Sequence, residues 1–134
     1  MFTVLFTCVH NAGRSQIAAA LFNALVDPSH ARAVSAGTEP APRVHPVVVG
    51  VMREAGIDLS AARPTRLTLE DASVADLLVT MGCGEACPVI PGRRREDWLL
   101  DDPAGKPADD VRRIRDAIAV RIQGLLEREG LPLR

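Results

Sequence analysis

Apolar positions change their period several times along this chain, and each change marks an element. Phe2-Thr3-Val4-Leu5-Phe6-Thr7 is a short β-branched and aromatic run, which predicts a strand buried on both faces. Ile17, Ala18, Leu21, Phe22 and Leu25 then recur at helical spacing until Asp27-Pro28 ends the pattern. Ala31 to Ser35 can form a second strand, closed by Gly37. Pro46 suits a first helical turn, and Val48, Val51, Met52 and Ala55 make a stripe that stops at Gly56. Thr68, with Asp71 three residues on, resembles a capping box for a short helix. Asp76 to Met81 reads as the next buried strand and Glu96 to Leu100 as a short fourth one. A last helix presents Val111, Ile114, Ile118, Ile122 and Leu125 on one face and ends at Gly130 before Pro132. Strands alternating with helices predict a parallel sheet covered on both sides, in one α/β domain spanning 1–134. The Pro/Gly-rich stretch from Pro88 to Gly92 reads as a loop, and no repeat or low-complexity segment interrupts the pattern.

Charge narrows the classes of partner. Sixteen basic and seventeen acidic side chains give a formal net charge of -1, which argues against bulk electrostatic attachment to nucleic acid or membrane. The clusters Arg93-Arg94-Arg95 and Arg112-Arg113 read as solvated faces. The longest aliphatic stretch, Val47 to Met52, is far short of the ~20 residues a membrane span needs. The apolar start carries no basic leader, so a cytoplasmic location is expected. Three cysteines in a reducing compartment point to chemistry or metal ligation rather than to a structural framework.

Cys8-Val9-His10-Asn11-Ala12-Gly13-Arg14-Ser15 lies between the first strand and the first helix. Such a loop turns its backbone N–H groups inward, and the dipole of the following helix adds to their field. The result is an anion cradle, with Gly13 allowing close backbone approach. Arg14 offers a planar fork that matches two oxygens of a tetrahedral oxyanion. Cys8 places a nucleophilic sulfur at the cradle floor, and the Ser15 hydroxyl can stabilise its thiolate by hydrogen bonding. Taken alone, Cys8 could be a buried small hydrophobe and Arg14 a surface cation. Their position between a buried strand and an amphipathic helix favours chemistry.

The same residues carry a family likeness. Cys8-x5-Arg14-Ser15 directly after the first strand resembles the low-molecular-weight protein tyrosine phosphatase superfamily. Within it, the sequence is similar to arsenate reductases of the thioredoxin-coupled, actinobacterial type. The supporting stretches are CVHNAGRSQIAAALFN, SAGT at Ser35 to Thr38, TMGCGEACP at Thr80 to Pro88 and EDWLLDDPAGKP at Glu96 to Pro107. The resemblance implies a flavodoxin-like sheet of four strands in order 2-1-3-4. It also implies that Asp102, in the Asp102-Pro103 loop, protonates the leaving oxygen. Relatives with a structural potassium site have carboxylates where Ala19 and Thr65 align here, so no metal site is expected. Relatives that use mycothiol and a mycoredoxin have only the first cysteine, so the presence of three favours a thioredoxin.

In that strand order the first and third strands are neighbours and end at the same edge, which brings Cys83 toward Cys8. Gly82 and Gly84 flank Cys83 with backbone that could let it move. The pair Cys83 and Cys87 can be read as inert thiols, as metal ligands completed by Cys8 or His10, or as a disulfide relay; the relay explains all three sulfurs at once, and no second pair supports the metal reading. The resulting expectation is reduction of arsenate to arsenite. Cys8 attacks arsenic, Cys83 then attacks Cys8, and Cys87 resolves the disulfide for an external thiol reductant, with no bound cofactor. Phosphate and sulfate would compete for the cradle. A tyrosine phosphatase needs only Cys8, Arg14, Ser15 and Asp102, but this chain has no tyrosine and few aromatics, and Gly13 replaces the backup cysteine common in phosphatase loops. A non-catalytic oxyanion or redox sensor is the third reading. His10 can shape the loop, His30 and His45 read as surface positions, and Trp98 reads as packing beside the acid loop. A monomer and a homodimer are equally compatible with the sequence.

Overall fold

The computed structural model describes residues 1–83, 87 and 89–134. Strand β1 (Phe2–Cys8) leads into helix α1 (Arg14–Leu25), followed by β2 (Ala31–Gly37), α2 (Pro46–Glu54), α3 (Leu69–Val74), β3 (Leu77–Thr80), β4 (Arg94–Asp97) and α4 (Ala108–Arg128). The sheet is parallel throughout, in the order β2-β1-β3-β4. This is the flavodoxin-like arrangement expected from the resemblance, with helices on both faces.

The pleat of β1 assigns its residues to two cores. Val4, Phe6 and Cys8 join a large cluster with α1, α2 and α4, whereas Leu5 joins a small one with Ala36, Ala72, Ala75 and Leu78. Three helices therefore cover one face, and the short α3 lies on the other. Thr68 caps α3 as its spacing predicts, its hydroxyl accepting the Asp71 N–H at 3.1 Å. Pro46 opens α2.

The fourth strand departs from the sequence reading. It spans Arg94–Asp97 rather than Glu96 to Leu100; the Trp98 N–H makes the last bond to β3, on the Thr80 carbonyl at 2.9 Å, and its ring packs on Phe6 with centroids 5.6 Å apart. As an edge strand it can carry charge, and its side chains are held by ion pairs: Arg94 with Glu129 and Arg95 with Asp97. The third strand is also trimmed, to Leu77–Thr80. The arginine clusters are solvated faces as expected, Arg112 pairing with Glu54 and Asp109, and Arg113 with Asp110. Among the described residues, no helix is long and apolar enough to cross a membrane. Gly84 and Pro88, to which the sequence assigned a flanking hinge and the start of a loop, lie outside the described residues.

Candidate active site

The register pairs Thr7 with Thr80, so β1 and β3 end level, and the loops that follow them share one edge of the sheet. After β1 the chain turns through residues 9–13 before α1 begins. Its carbonyls are tied outward. The Thr38 N–H donates to the Cys8 carbonyl (3.3 Å), Glu39 to Val9 (2.8 Å), Ala41 to His10 (2.9 Å) and His45 to Ala12 (3.0 Å). Anchoring the carbonyls leaves the N–H groups on the concave side, and among the described residues the amides of His10 to Arg14 donate to no other backbone group. Gly13 caps α1 without a side-chain hydrogen bond, so the first helical N–H groups also remain open to an anion.

A buried polar network fixes this shape. Cys8 is free, 3% exposed, and its Sγ lies 2.9 Å from Ser15 Oγ. Asn11 Nδ2 donates to the same oxygen at 2.7 Å, which leaves the Ser15 hydroxyl proton to face the sulfur. Asn11 Oδ1 accepts from the Thr65 N–H (3.0 Å) and from Gln16 Nε2 (3.1 Å). Asn11 itself holds a left-handed backbone, φ 50°, a conformation asparagine tolerates better than most residues. The sequence identified Asn11 only as a loop amide; its side chain, with Gln16 and Thr65, forms the brace behind the cradle. The signal for it was an Asn and a Gln five positions apart at a predicted strand-helix turn. His10 reaches Glu39 through Nδ1 (3.0 Å to the carbonyl) and so shapes the outer side of the loop. His45 is not a plain surface residue: it is half-buried as the N-cap of α2, close beside Gly13.

Arg14 projects from the start of α1 across the mouth. Nη1 donates to the Leu100 carbonyl (3.3 Å) and Nη2 stands 3.6 Å from Asp102. Its Nε is buried with no partner among the described residues, a donor that a bound oxyanion could take up. Asp102 is half-exposed and its Oδ1 accepts the Ala104 N–H at 3.0 Å, an Asx turn that holds the loop. Gly82, at φ 99°, packs on the guanidinium: a Cβ there would lie 2.4 Å from Arg14 Nη1. The sequence took Gly82 as freedom for Cys83, but it also makes room for Arg14.

Cys83 and Cys87 are joined as a disulfide, with Cα atoms 5.5 Å apart. Both sulfurs lie 3.3 Å from Thr7 Oγ1. Thr7 and Cys8 leave β1 toward opposite faces, so the pair shares Cys8's sheet edge but not its face. The strand order thus brings Cys83 to the sheet edge that Cys8 occupies, against the neighbouring Thr7, with Cys83 bonded to Cys87. Thr7 went unnoticed in the sequence, since a threonine in a buried strand carries no distinctive signal. Among the described residues, no group of His, Cys, Asp and Glu is arranged to hold a metal.

Residues 3–131 match the family described as low molecular weight phosphotyrosine protein phosphatase. An arsenate reductase from Brevibacillus brevis is 37% identical over 129 residues, covering 93% of this chain and 94% of that protein. Among solved structures, a thioredoxin-dependent arsenate reductase from Corynebacterium glutamicum is 40% identical with a TM-score of 0.80; the match covers 95% of this chain and 61% of that longer one. An arsenate reductase from Archaeoglobus fulgidus superposes with a TM-score of 0.78 at 35% identity, over 92% of this chain and 98% of its own.

Proposed function

Since the chain belongs to the low molecular weight phosphotyrosine protein phosphatase family, we propose that it reduces arsenate to arsenite, with Cys8 as nucleophile and Cys83 and Cys87 as an internal electron source recharged by an external dithiol of the thioredoxin type. The observation that carries this reading is the distribution of sulfurs. Cys8 is a free thiol in the oxyanion cradle, while Cys83 and Cys87 are bonded to each other at the end of the neighbouring strand. A nucleophile in the cradle and a sulfur pair close enough to bond, on the same sheet edge, are the parts such a relay needs.

The steps balance in atoms and electrons. Arsenate binds to the loop amides and the Arg14 fork, the Cys8 thiolate attacks arsenic, and Asp102 protonates the departing oxygen so that it leaves as water. The Cys83 thiolate then attacks the Cys8 sulfur. The S–As bonding pair goes to arsenic, which leaves as arsenite, and a Cys8–Cys83 disulfide forms. Cys87 attacks Cys83 and releases the Cys8 thiolate, and the external dithiol reduces the Cys83–Cys87 bond. Phosphate and sulfate share the tetrahedral shape and would bind without being reduced.

Phosphate-ester hydrolysis is the second reading, favoured by the family name and by the sufficiency of Cys8, Arg14, Ser15 and Asp102 for that chemistry. The aromatic residues weigh against a phosphotyrosine substrate. Phe6, Phe22 and Trp98 are buried in the core, Phe2 begins β1 at the far end from the cradle, and there is no tyrosine. A phenyl ring would find no aromatic wall. The test is arsenate-dependent NADPH oxidation with thioredoxin and thioredoxin reductase, run beside aryl phosphate hydrolysis on the same sample. Arsenate turnover is expected to dominate. Efficient ester hydrolysis with no arsenate-dependent NADPH oxidation would put the phosphatase reading in its place.

A further inference from the structure

We infer that Gly13 is the seat of the acid loop: the side chain it lacks is the space into which Pro103 closes, and that closure sets the height of Asp102 above the cradle. Asp101, Asp102, Ala104 and Gly105 are all exposed, yet Pro103 between them is buried. What it is buried against is Gly13. A Cβ built on Gly13 would lie 2.5 Å from Pro103 Cγ and 3.2 Å from its Cδ, with His45 Cδ2 at 3.5 Å on the other side.

Carbon atoms in contact sit about 3.5–4.0 Å apart, so a methyl at position 13 requires a retreat on the order of 1 Å. A flip of the proline ring can shift Cγ, but Cδ is bonded to the backbone nitrogen and is also crowded, so relief of both contacts moves the loop. His45, held by its own N–H on the Ala12 carbonyl, blocks escape to the other side. Asp102 adjoins Pro103 and moves with it. Proton transfer needs heavy atoms within about 2.6–3.2 Å, a window narrower than that displacement. Position 13 therefore acts as a positioning residue for the acid. It works through Pro103 and does not itself meet the proton.

This inference rests on the reading of Asp102 as the proton donor, and the experiment separates the two. Gly13→Ala is compared with wild type, Pro103→Ala and the double variant in single-turnover arsenate reduction, together with inorganic phosphate binding and a crystal structure of Gly13→Ala. Turnover by Gly13→Ala is expected to fall about 100-fold, the scale of a 1 Å misplacement. Phosphate affinity should fall far less than turnover, because alanine keeps the amide at position 13 and leaves Arg14 in place. Alanine at 103 lacks both clashing atoms, so the double variant should recover to the level of Pro103→Ala alone. Wild-type turnover in Gly13→Ala, or a double variant as slow as Gly13→Ala, would overturn the interlock. If wild type reduces no arsenate, the functional reading fails instead, and the crystal structure still decides the interlock: retreat of Pro103 by about 1 Å supports it, and an unmoved Pro103 ends it.

Discussion

The two loops that leave adjacent strands at one sheet edge are built in opposite ways. The loop after β1 has three carbonyls, and the Cys8 carbonyl before it, taken by backbone N–H groups of the 38–45 segment, and its Asn11 is fully buried and bonded to Ser15, Gln16 and Thr65. The segment after β3 starts from buried Met81 but passes at once through Gly82, an exposed glycine at positive φ, and both of its sulfurs lie against one hydroxyl, that of Thr7. The contrast fits the two tasks proposed for them. An oxyanion cradle stabilises charge only if its amides are already in place, since reorganising them during the reaction would consume the benefit. A thiol that must attack Cys8 and later be attacked by Cys87 has to occupy more than one position. One loop is made to hold a shape and the other to exchange partners.

The most severe way to break this comparison is Cys8→Ser. A hydroxyl is far less ionised than a thiol at neutral pH, so arsenite formation should become undetectable in single-turnover assays, although Cys83 and Cys87 remain. Arsenite release by that variant would mean the chemistry does not start in the fixed loop. Asp102→Asn comes next. It keeps size but removes the proton donor, and turnover should fall by ~10²–10⁴-fold with little change in oxyanion binding. Unchanged single-turnover kinetics would move the acid role, with Asp101 the first suspect.

Asn11→Ala tests the rigidity of the first loop. It leaves the Thr65 N–H unpaired and puts alanine at a left-handed backbone, at a cost of about 3 kcal/mol in chemical denaturation. A loss below about 0.5 kcal/mol, the level of an ordinary surface substitution, would show that the brace is not what holds the cradle. The smallest effect is expected beside the second loop, at Asp97, whose carboxyl the Thr80 hydroxyl and then Arg95 hold below the usual range. A depressed carboxylate adds stability above its unfolded pKa of ~3.9 that is lost as pH falls through the lower folded value. Asp97→Asn should therefore cost little at pH 7 and flatten the acid limb of the stability profile below about pH 4. An unaltered acid limb would remove Asp97 from the support of the β3–β4 end.

Much of this architecture was legible in the sequence because burial imposes periodicity. The runs at Phe2 to Thr7 and Val111 to Leu125 could hardly be anything but a buried strand and a packed helix. β4 was misplaced because an edge strand answers to its ion pairs, and Arg94 to Asp97 has no apolar pattern to read. At the site, Cys8, Arg14 and Ser15 stood out by spacing, whereas Asp102 came only from family resemblance. The Asn11–Thr65 bond of the brace, the Thr7 contact and the seat of Pro103 on Gly13 join residues far apart in the chain. Local pattern carries no information about such pairs.

The central claim is that electrons pass from Cys83 and Cys87 through Cys8 to arsenic, and Cys87→Ser tests it most directly. One equivalent of arsenate is added to the reduced variant, arsenite is counted, and disulfides are mapped on non-reduced peptides. The relay predicts about one arsenite per chain and a trapped Cys8–Cys83 disulfide, because the thiol that would resolve it is gone. Full thioredoxin-coupled turnover by Cys87→Ser, with no Cys8–Cys83 bond accumulating, would contradict it.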